Sequence, residues 1–179
     1  MSDRKELLDT INSQAIVKGH VILSSGKEAD YYVDMRRVTL SGSAAPMVGR
    51  VMSELVSDLD FDAVGGLTMG ADPVAAAIVH ARAAQGKPVD SFVVRKEAKT
   101  HGLHKRIEGP EVSGRKVLIV EDTSTTGGSA LEAVKAVREA GADVVAVAVI
   151  VDRNTGAADK VRGYGLEYRY AYSLDDLAL

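Results

Sequence analysis

Apolar and polar positions change their period several times along this chain, and each change marks an element. From Glu6 to Val17 apolar residues recur at helical spacing, with Leu7, Leu8, Ile11 and Ala15 on one side and Gly19 at the end, which predicts an opening amphipathic helix. Val21 to Ser24 and Tyr31 to Asp34 read as two short extended pieces, bridged by Ser25-Gly26-Lys27-Glu28. Helical spacing resumes from Ser43 to Leu59, where Pro46 falls in the first turn and its missing N–H is harmless. Asp62 to Leu67 reads as a strand, Ala71 to Ala84 as an alanine-rich helix and Ser91 to Val94 as a strand. Arg115 to Val120 is a further strand, Ala130 to Ala140 a helix, and Val144 to Val151 a long apolar strand.

Strands that alternate with helices imply a mostly parallel sheet covered on both faces. The unbroken apolar run Val117-Leu118-Ile119-Val120 fits a strand buried on both sides. Because parallel crossovers are right-handed, the expected fold class is α/β with a doubly wound sheet, not a sandwich. No internal repeat, low-complexity tract or linker divides the chain, so residues 1–179 are read as a single domain. One long gap in regular structure, Lys96 to Gly114, has the length of a functional lid or a disordered segment.

Composition narrows the function classes. A net charge of -3 supplies no general attraction for nucleic acid or anionic membrane, so neither is expected as a partner and any affinity for an anion has to be local. Cysteine is absent, which excludes disulfides, thiolate catalysis and thiolate metal sites. The polar start Met-Ser-Asp-Arg-Lys-Glu does not read as a signal peptide, and no apolar run approaches the ~18 residues of a membrane span, so a cytoplasmic location is expected.

Local chemistry concentrates at three places. Glu121 and Asp122 stand side by side where the strand ends, and like charges there require a cation or hydroxyl donors. Thr123, Ser124, Thr125, Thr126 and Ser129 supply hydroxyls, while Gly127 and Gly128 let the backbone approach a phosphate at the start of the next helix. No lysine follows the glycines, so this is not the nucleoside-triphosphate P-loop; the plain alternative is a helix cap with a polar turn. The second place is Arg95-Lys96-Glu97-Ala98-Lys99-Thr100-His101-Gly102, continuing to His104-Lys105-Arg106, a crowd of cationic and imidazole side chains in an acidic protein. A solvated surface loop is the alternative there; RNA binding is disfavoured because no aromatic residues accompany the charges. The third is Asp152-Arg153, at the end of the neighbouring apolar strand, where an arginine fork can meet a carboxylate.

The segment Val117 to Ser129 resembles the phosphoribosyl diphosphate (PRPP) signature of the type I phosphoribosyltransferases, and Arg-Lys-Glu-Ala-Lys-x-His-Gly resembles the catalytic loop of the orotate branch of that family. The resemblance covers nearly the whole chain and implies the type I fold, with residues 1–40 contributing a helix and a small N-terminal hood over the base site. It implies transfer of ribose 5-phosphate from PRPP to orotate, giving orotidine 5'-monophosphate and diphosphate in pyrimidine synthesis. By resemblance Glu121 and Asp122 contact the ribose hydroxyls, directly or through Mg2+, with Asp122 the metal contact and PRPP its main ligand. Thr123 to Ser129 then cradle the 5'-phosphate, and Arg95, Lys96, Lys99 and His101 contact the diphosphate. Lys99 and His101 ride on a lid, and one of them assists the leaving group. Thr125 and Arg153 bind orotate, Tyr32 covers the ring, and a homodimer shares its active sites. Two departures are visible: Ser24 stands where some members carry lysine, and Met69-Gly70 where some carry Tyr-Lys. A purine or uracil phosphoribosyltransferase, or a PRPP-sensing regulator that binds nucleic acid, would share the PRPP segment but lack a reason for the basic loop together with Arg153.

Overall fold

The computed structural model describes residues 2–22, 26–101 and 105–179. Ser24, one of the two departures, lies outside them, as do Leu23, Ser25, Gly102 and His104. The chain opens with α1 (Asp3–Thr10), capped by the Ser2 side chain, which accepts from the Lys5 N–H, and continues into a π-helical turn over Ile11–Ala15. The expected helix over Glu6 to Val17 thus begins and ends earlier, because Ile16 already belongs to strand β1 (Ile16–Ile22). That strand pairs antiparallel with β2 (Glu28–Val33) as a separate two-stranded sheet. A short α2 (Arg36–Thr39) leads to α3 (Ala45–Leu55).

The body is a six-stranded sheet of β3 (Ala63–Leu67), β4 (Asp90–Val94), β5 (Ile107–Glu108), β6 (Lys116–Ser124), β7 (Asp143–Asp152) and β8 (Glu167–Ser173), in the order β5-β4-β3-β6-β7-β8. All pairings are parallel except that of β5 with β4. Three helices form the crossovers: α4 (Ala71–Ala84), α5 (Gly128–Glu139) and α6 (Ala157–Gly163).

Alternate residues of the central strands feed two cores. Leu118 and Val120 of β6, with Ala146, Ala148 and Ile150 of β7, pack toward α1, α3 and α4. Val117, Ile119, Val147 and Val149 pack toward α5 and α6. Each of these residues is fully buried, which explains why the strands carry unbroken apolar runs and not an alternating pattern. Gly49 lets α3 press against α4, since a Cβ there would stand 2.3 Å from the Ala77 carbonyl oxygen. No helix among the described residues is long and apolar enough to cross a membrane.

Three features depart from the sequence reading. Strand β6 runs four residues past Val120, so Glu121 to Ser124 are strand and not loop. In the gap from Lys96 to Gly114 the described residues fold back as an arm, and β5 pairs with the end of β4. Helix α6 and edge strand β8 were not anticipated from periodicity. The chain leaves β3 first toward β4 and later toward β6 on its other side, so the direction of winding reverses between β3 and β6. In an open α/β sheet the crevice at the carboxyl ends of two such strands is where ligands bind.

Candidate functional site

At that crevice β3 delivers the turn Thr68-Met69-Gly70 and β6 delivers the acidic pair. They touch because residue 70 has no side chain: a Cβ there would lie 2.8 Å from Asp122 Oδ1 and 3.1 Å from Glu121 Oε2. Glu121 is only 5% exposed, and its Oε1 has no hydrogen-bond partner among the described residues. Burial, reinforced by Asp122 and then Asp72, pushes its carboxyl up to about 9, so at neutral pH it is protonated and can donate as well as accept. The Asp122 carboxyl is also raised, mainly by burial, against the backbone N–H of Thr123, which donates to Oδ1 at 2.7 Å. Asp72 accepts from Thr68 Oγ1 at 2.6 Å through one oxygen, while its other oxygen is buried without a partner.

Beyond Ser124 the chain turns through Thr125 and Thr126, both exposed, to Gly127 at φ 78°, which starts α5 from a left-handed conformation. The backbone of this turn is held from the next strand end. Arg153 N–H donates to the Ser124 carbonyl at 2.9 Å, and the Thr155 hydroxyl donates to the Thr125 carbonyl. Asn154, at φ 56°, donates its backbone N–H to Asp152 at 3.1 Å and its side-chain amide to Asp175 at 3.1 Å.

Two cavities meet over this floor. A larger one of about 820 Å³ is lined by Val21, Ile22, Lys27, Tyr31 and Tyr32 of the hairpin, and by Thr125, Thr126, Arg153, Thr155 and Leu174. A smaller one of about 340 Å³ is lined by Tyr32, Asp34, Arg36, Thr68, Met69, Gly70, Lys96, Glu121, Asp122, Thr123, Thr125 and Ser129, among others. Tyr32 and Thr125 belong to both, so they form a common wall between a space with one arginine and an apolar lid, and a space with carboxylates and hydroxyls.

The structure therefore brings together Glu121, Asp122, Thr123, Thr125, Thr126, Ser129, Lys96, Arg153 and Tyr32. Ser124 is buried and lines neither cavity. Arg95, Lys99 and His101 do not line them either. Lys99 Nζ lies 2.8 Å from Glu108 Oε1, and Arg95 Nη1 is 3.8 Å from the same oxygen; these cations hold the Glu108 carboxyl below its usual range, Lys99 first. Arg106 ties the arm down through its Nε to the Arg95 carbonyl at 3.0 Å and through an ion pair with Glu132 of α5. His101 is exposed. Sequence reasoning missed Arg36 and Thr155. Thr155 was the more accessible of the two, lying two residues past Arg153 at the same strand end.

No cluster of three or more His, Asp or Glu side chains among the described residues is arranged to hold a metal ion. What the site offers a divalent cation is the Asp122 carboxylate, beside a neutral Glu121, an Asp34 carboxylate already engaged by Arg36, and several hydroxyls. That donor set suits an ion whose shell comes mostly from a polyoxygen ligand and water.

Comparison with known proteins follows the same outline. Residues 41–165 match the phosphoribosyl transferase domain family. The orotate phosphoribosyltransferase of Streptomyces avermitilis is 67% identical over 98% of this chain and 97% of its own. The crystal structure of Mycobacterium tuberculosis orotate phosphoribosyltransferase in complex with Fe(III) dicitrate superimposes with a TM-score of 0.91 at 56% identity, covering 99% of this chain and 100% of that one. Its complex with PRPP gives 0.87 at 52% identity, covering 99% and 100%.

Proposed function

This chain belongs to the orotate phosphoribosyltransferases of the phosphoribosyl transferase family, and from that membership we propose how its own residues divide the transfer of ribose 5-phosphate from PRPP to orotate. The observation that carries the division is the pair of cavities with a common wall at Tyr32 and Thr125. The larger takes the flat acceptor base, whose carboxylate meets the Arg153 guanidinium while Tyr32 and Tyr31 cover the ring and Thr125 contacts its edge. The smaller takes the ribose and the diphosphate.

In the smaller cavity Glu121, neutral at pH 7, presents one donor and one acceptor to vicinal hydroxyls, and Asp122 accepts from the other. The turn from Thr125 to Ser129, with Gly127 opening α5, offers backbone N–H groups, hydroxyls and the positive end of a helix to the 5'-phosphate. Breaking the anomeric bond leaves positive charge on the ribose and negative charge on the diphosphate, so catalysis is positioning and charge stabilisation. Lys96 already faces the cavity; Arg95, Lys99 and His101 reach the diphosphate when the arm leaves Glu108 and closes. Lys99 or His101 then donates a proton or hydrogen bond to the departing oxygen, and the closed arm excludes water. Mg2+ fits the donor set and would be held by Asp122 and, for the rest, by PRPP; when bound it neutralises diphosphate charge. A homodimer completes the reading. An alanine-lined groove of about 780 Å³ between α3 and α4, edged by the exposed Leu40, is the apolar face a second copy would cover.

One assay tests the reaction: Mg2+- and PRPP-dependent loss of orotate absorbance, with adenine, hypoxanthine and uracil as competing bases. Turnover of orotate alone is the expected result, and turnover of a purine in its place overturns the base assignment. Light scattering of the purified chain, expected at twice the monomer mass, tests the dimer.

A further inference from the structure

The smaller cavity holds a second fixed cation that the division above leaves idle, Arg36, at the start of α2 immediately after the hood strand. Its guanidinium is aimed by two neighbours on its own segment. Asp34 Oδ1 accepts from Arg36 Nε at 3.1 Å and from the Arg36 backbone N–H at 3.3 Å, and Arg36 Nη2 donates to Tyr32 Oη at 3.3 Å. These contacts engage the inner edge of the fork. The guanidinium's other N–H groups have no acceptor among the described residues; the side chain is 44% exposed and lines the smaller cavity. Across that cavity stand Glu121, Asp122 and the side-chain-free wall at Gly70, while Lys96 is its other cation.

A cation with a free planar face, opposite carboxylates assigned to ribose hydroxyls, sits where phosphoryl oxygens gather once those hydroxyls are bound. We propose that Arg36 binds the diphosphate of PRPP, so that the hood delivers an anion contact to the leaving-group side as well as a cover to the base side. Asp34 acts as the positioning residue: with Asp34 on Nε and Tyr32 on one hydrogen of Nη2, the N–H groups of Nη1 and the second hydrogen of Nη2 remain for bidentate contact with phosphoryl oxygens. This inference rests on the reading of the smaller cavity as the ribose and diphosphate side. Arg37 supplies an internal contrast. It lies 3.9 Å from the same Asp34 carboxylate but lines neither cavity.

The test compares wild type with Arg36→Met, Arg36→Lys and Arg37→Met on ligands that do and do not carry a diphosphate. Arg36→Met is expected to raise KM for PRPP, and KM for inorganic diphosphate in the reverse direction, by ~10–100-fold, leaving the Kd of orotidine 5'-monophosphate within about 2-fold. Arg36→Lys keeps the charge but loses the fork, so it should show the same ligand selectivity at ~3–10-fold, which keeps the test decisive if the methionine variant melts early. Arg37→Met should match wild type throughout. Equal losses for orotidine 5'-monophosphate and PRPP, unchanged KM values in both Arg36 variants, or the same loss in Arg37→Met would each overturn the assignment. Failure of the wild type to turn over orotate overturns the underlying reading instead.

Discussion

The acidic floor and the basic arm of this site are built on opposite principles. The floor, Glu121 to Ser129 with Arg153, is an extension of two central strands, pinned by parallel pairing of Thr123 with Val151 and Ser124 with Asp152 and by a hydrogen bond from Arg153. The described part of the arm between Arg95 and Arg106 leads into a two-residue antiparallel contact at the sheet edge, and Arg95, Lys99 and Arg106 are engaged by Glu108 and Glu132. Burial governs the first, and it shows as a displaced carboxyl titration. Coulomb attraction between half-exposed groups governs the second, and such attraction is weak and screened by salt. On the proposed reading, the part that recognises what the product keeps is thus built into paired strands, whereas the part that handles what departs is held, among the described residues, by a short strand contact, a few hydrogen bonds and half-exposed ion pairs.

Four substitutions probe this contrast. Lys99→Ala removes the arm's reaching cation and should lower the single-turnover rate by ~10²–10³-fold, with KM for orotate within about 3-fold; unchanged chemistry would deprive the arm of its part in leaving-group departure. Arg153→Ala deletes the floor's carboxylate partner, so KM for orotate should climb ~10–100-fold while PRPP binding, measured by calorimetry, stays within about 2-fold. Glu121→Gln separates the regions by pH. In the folded protein this carboxyl stays protonated to about 9, whereas the unfolded chain ionises it near 4.5, so its contribution to stability is complete below about 4.5 and is lost as pH rises toward 9. The glutamine variant should therefore melt at least ~2 °C above wild type at pH 8.5 and level with it at pH 4. Glu108→Ala removes one partner of Lys99 and should lower KM for PRPP by no more than ~5-fold, an effect that fades as salt rises. A salt-insensitive shift there would mean that the arm is held by something other than charge.

The floor was legible in the sequence because both of its signals are local. Four apolar residues mark a strand buried on two faces, and the acids, hydroxyls and glycines that follow are contiguous. The orotate branch was legible from the arm and Arg153, again short strings. Boundaries were less so: β6 continues through Glu121 to Ser124 because pairing with β7 outweighs the polar character of those residues. Strand β8, Glu-Tyr-Arg-Tyr-Ala-Tyr-Ser, is an edge strand that mixes buried tyrosines with exposed charges, so no single periodicity announces it. Helix α6 is seven residues between Gly156 and Gly165, too short for a stripe to repeat. Arg36 escaped notice for a different reason. Its chemistry arises only when the hood and the β3 turn fold onto β6, and nothing next to it in the chain records that meeting.

The common wall between the two cavities also limits how this enzyme can be altered. On the proposed reading, widening the base cavity at Thr125 or Tyr32 would reshape the sugar cavity in the same stroke, because each residue lines both. On that reading, acceptor preference can be redesigned independently at positions that line the larger cavity alone and lie outside the phosphate turn, namely Val21, Ile22, Lys27, Tyr31, Arg153, Thr155 and Leu174. A library confined to those seven should change which base is used while leaving donor affinity intact, whereas one that includes the wall should trade acceptor range against donor binding.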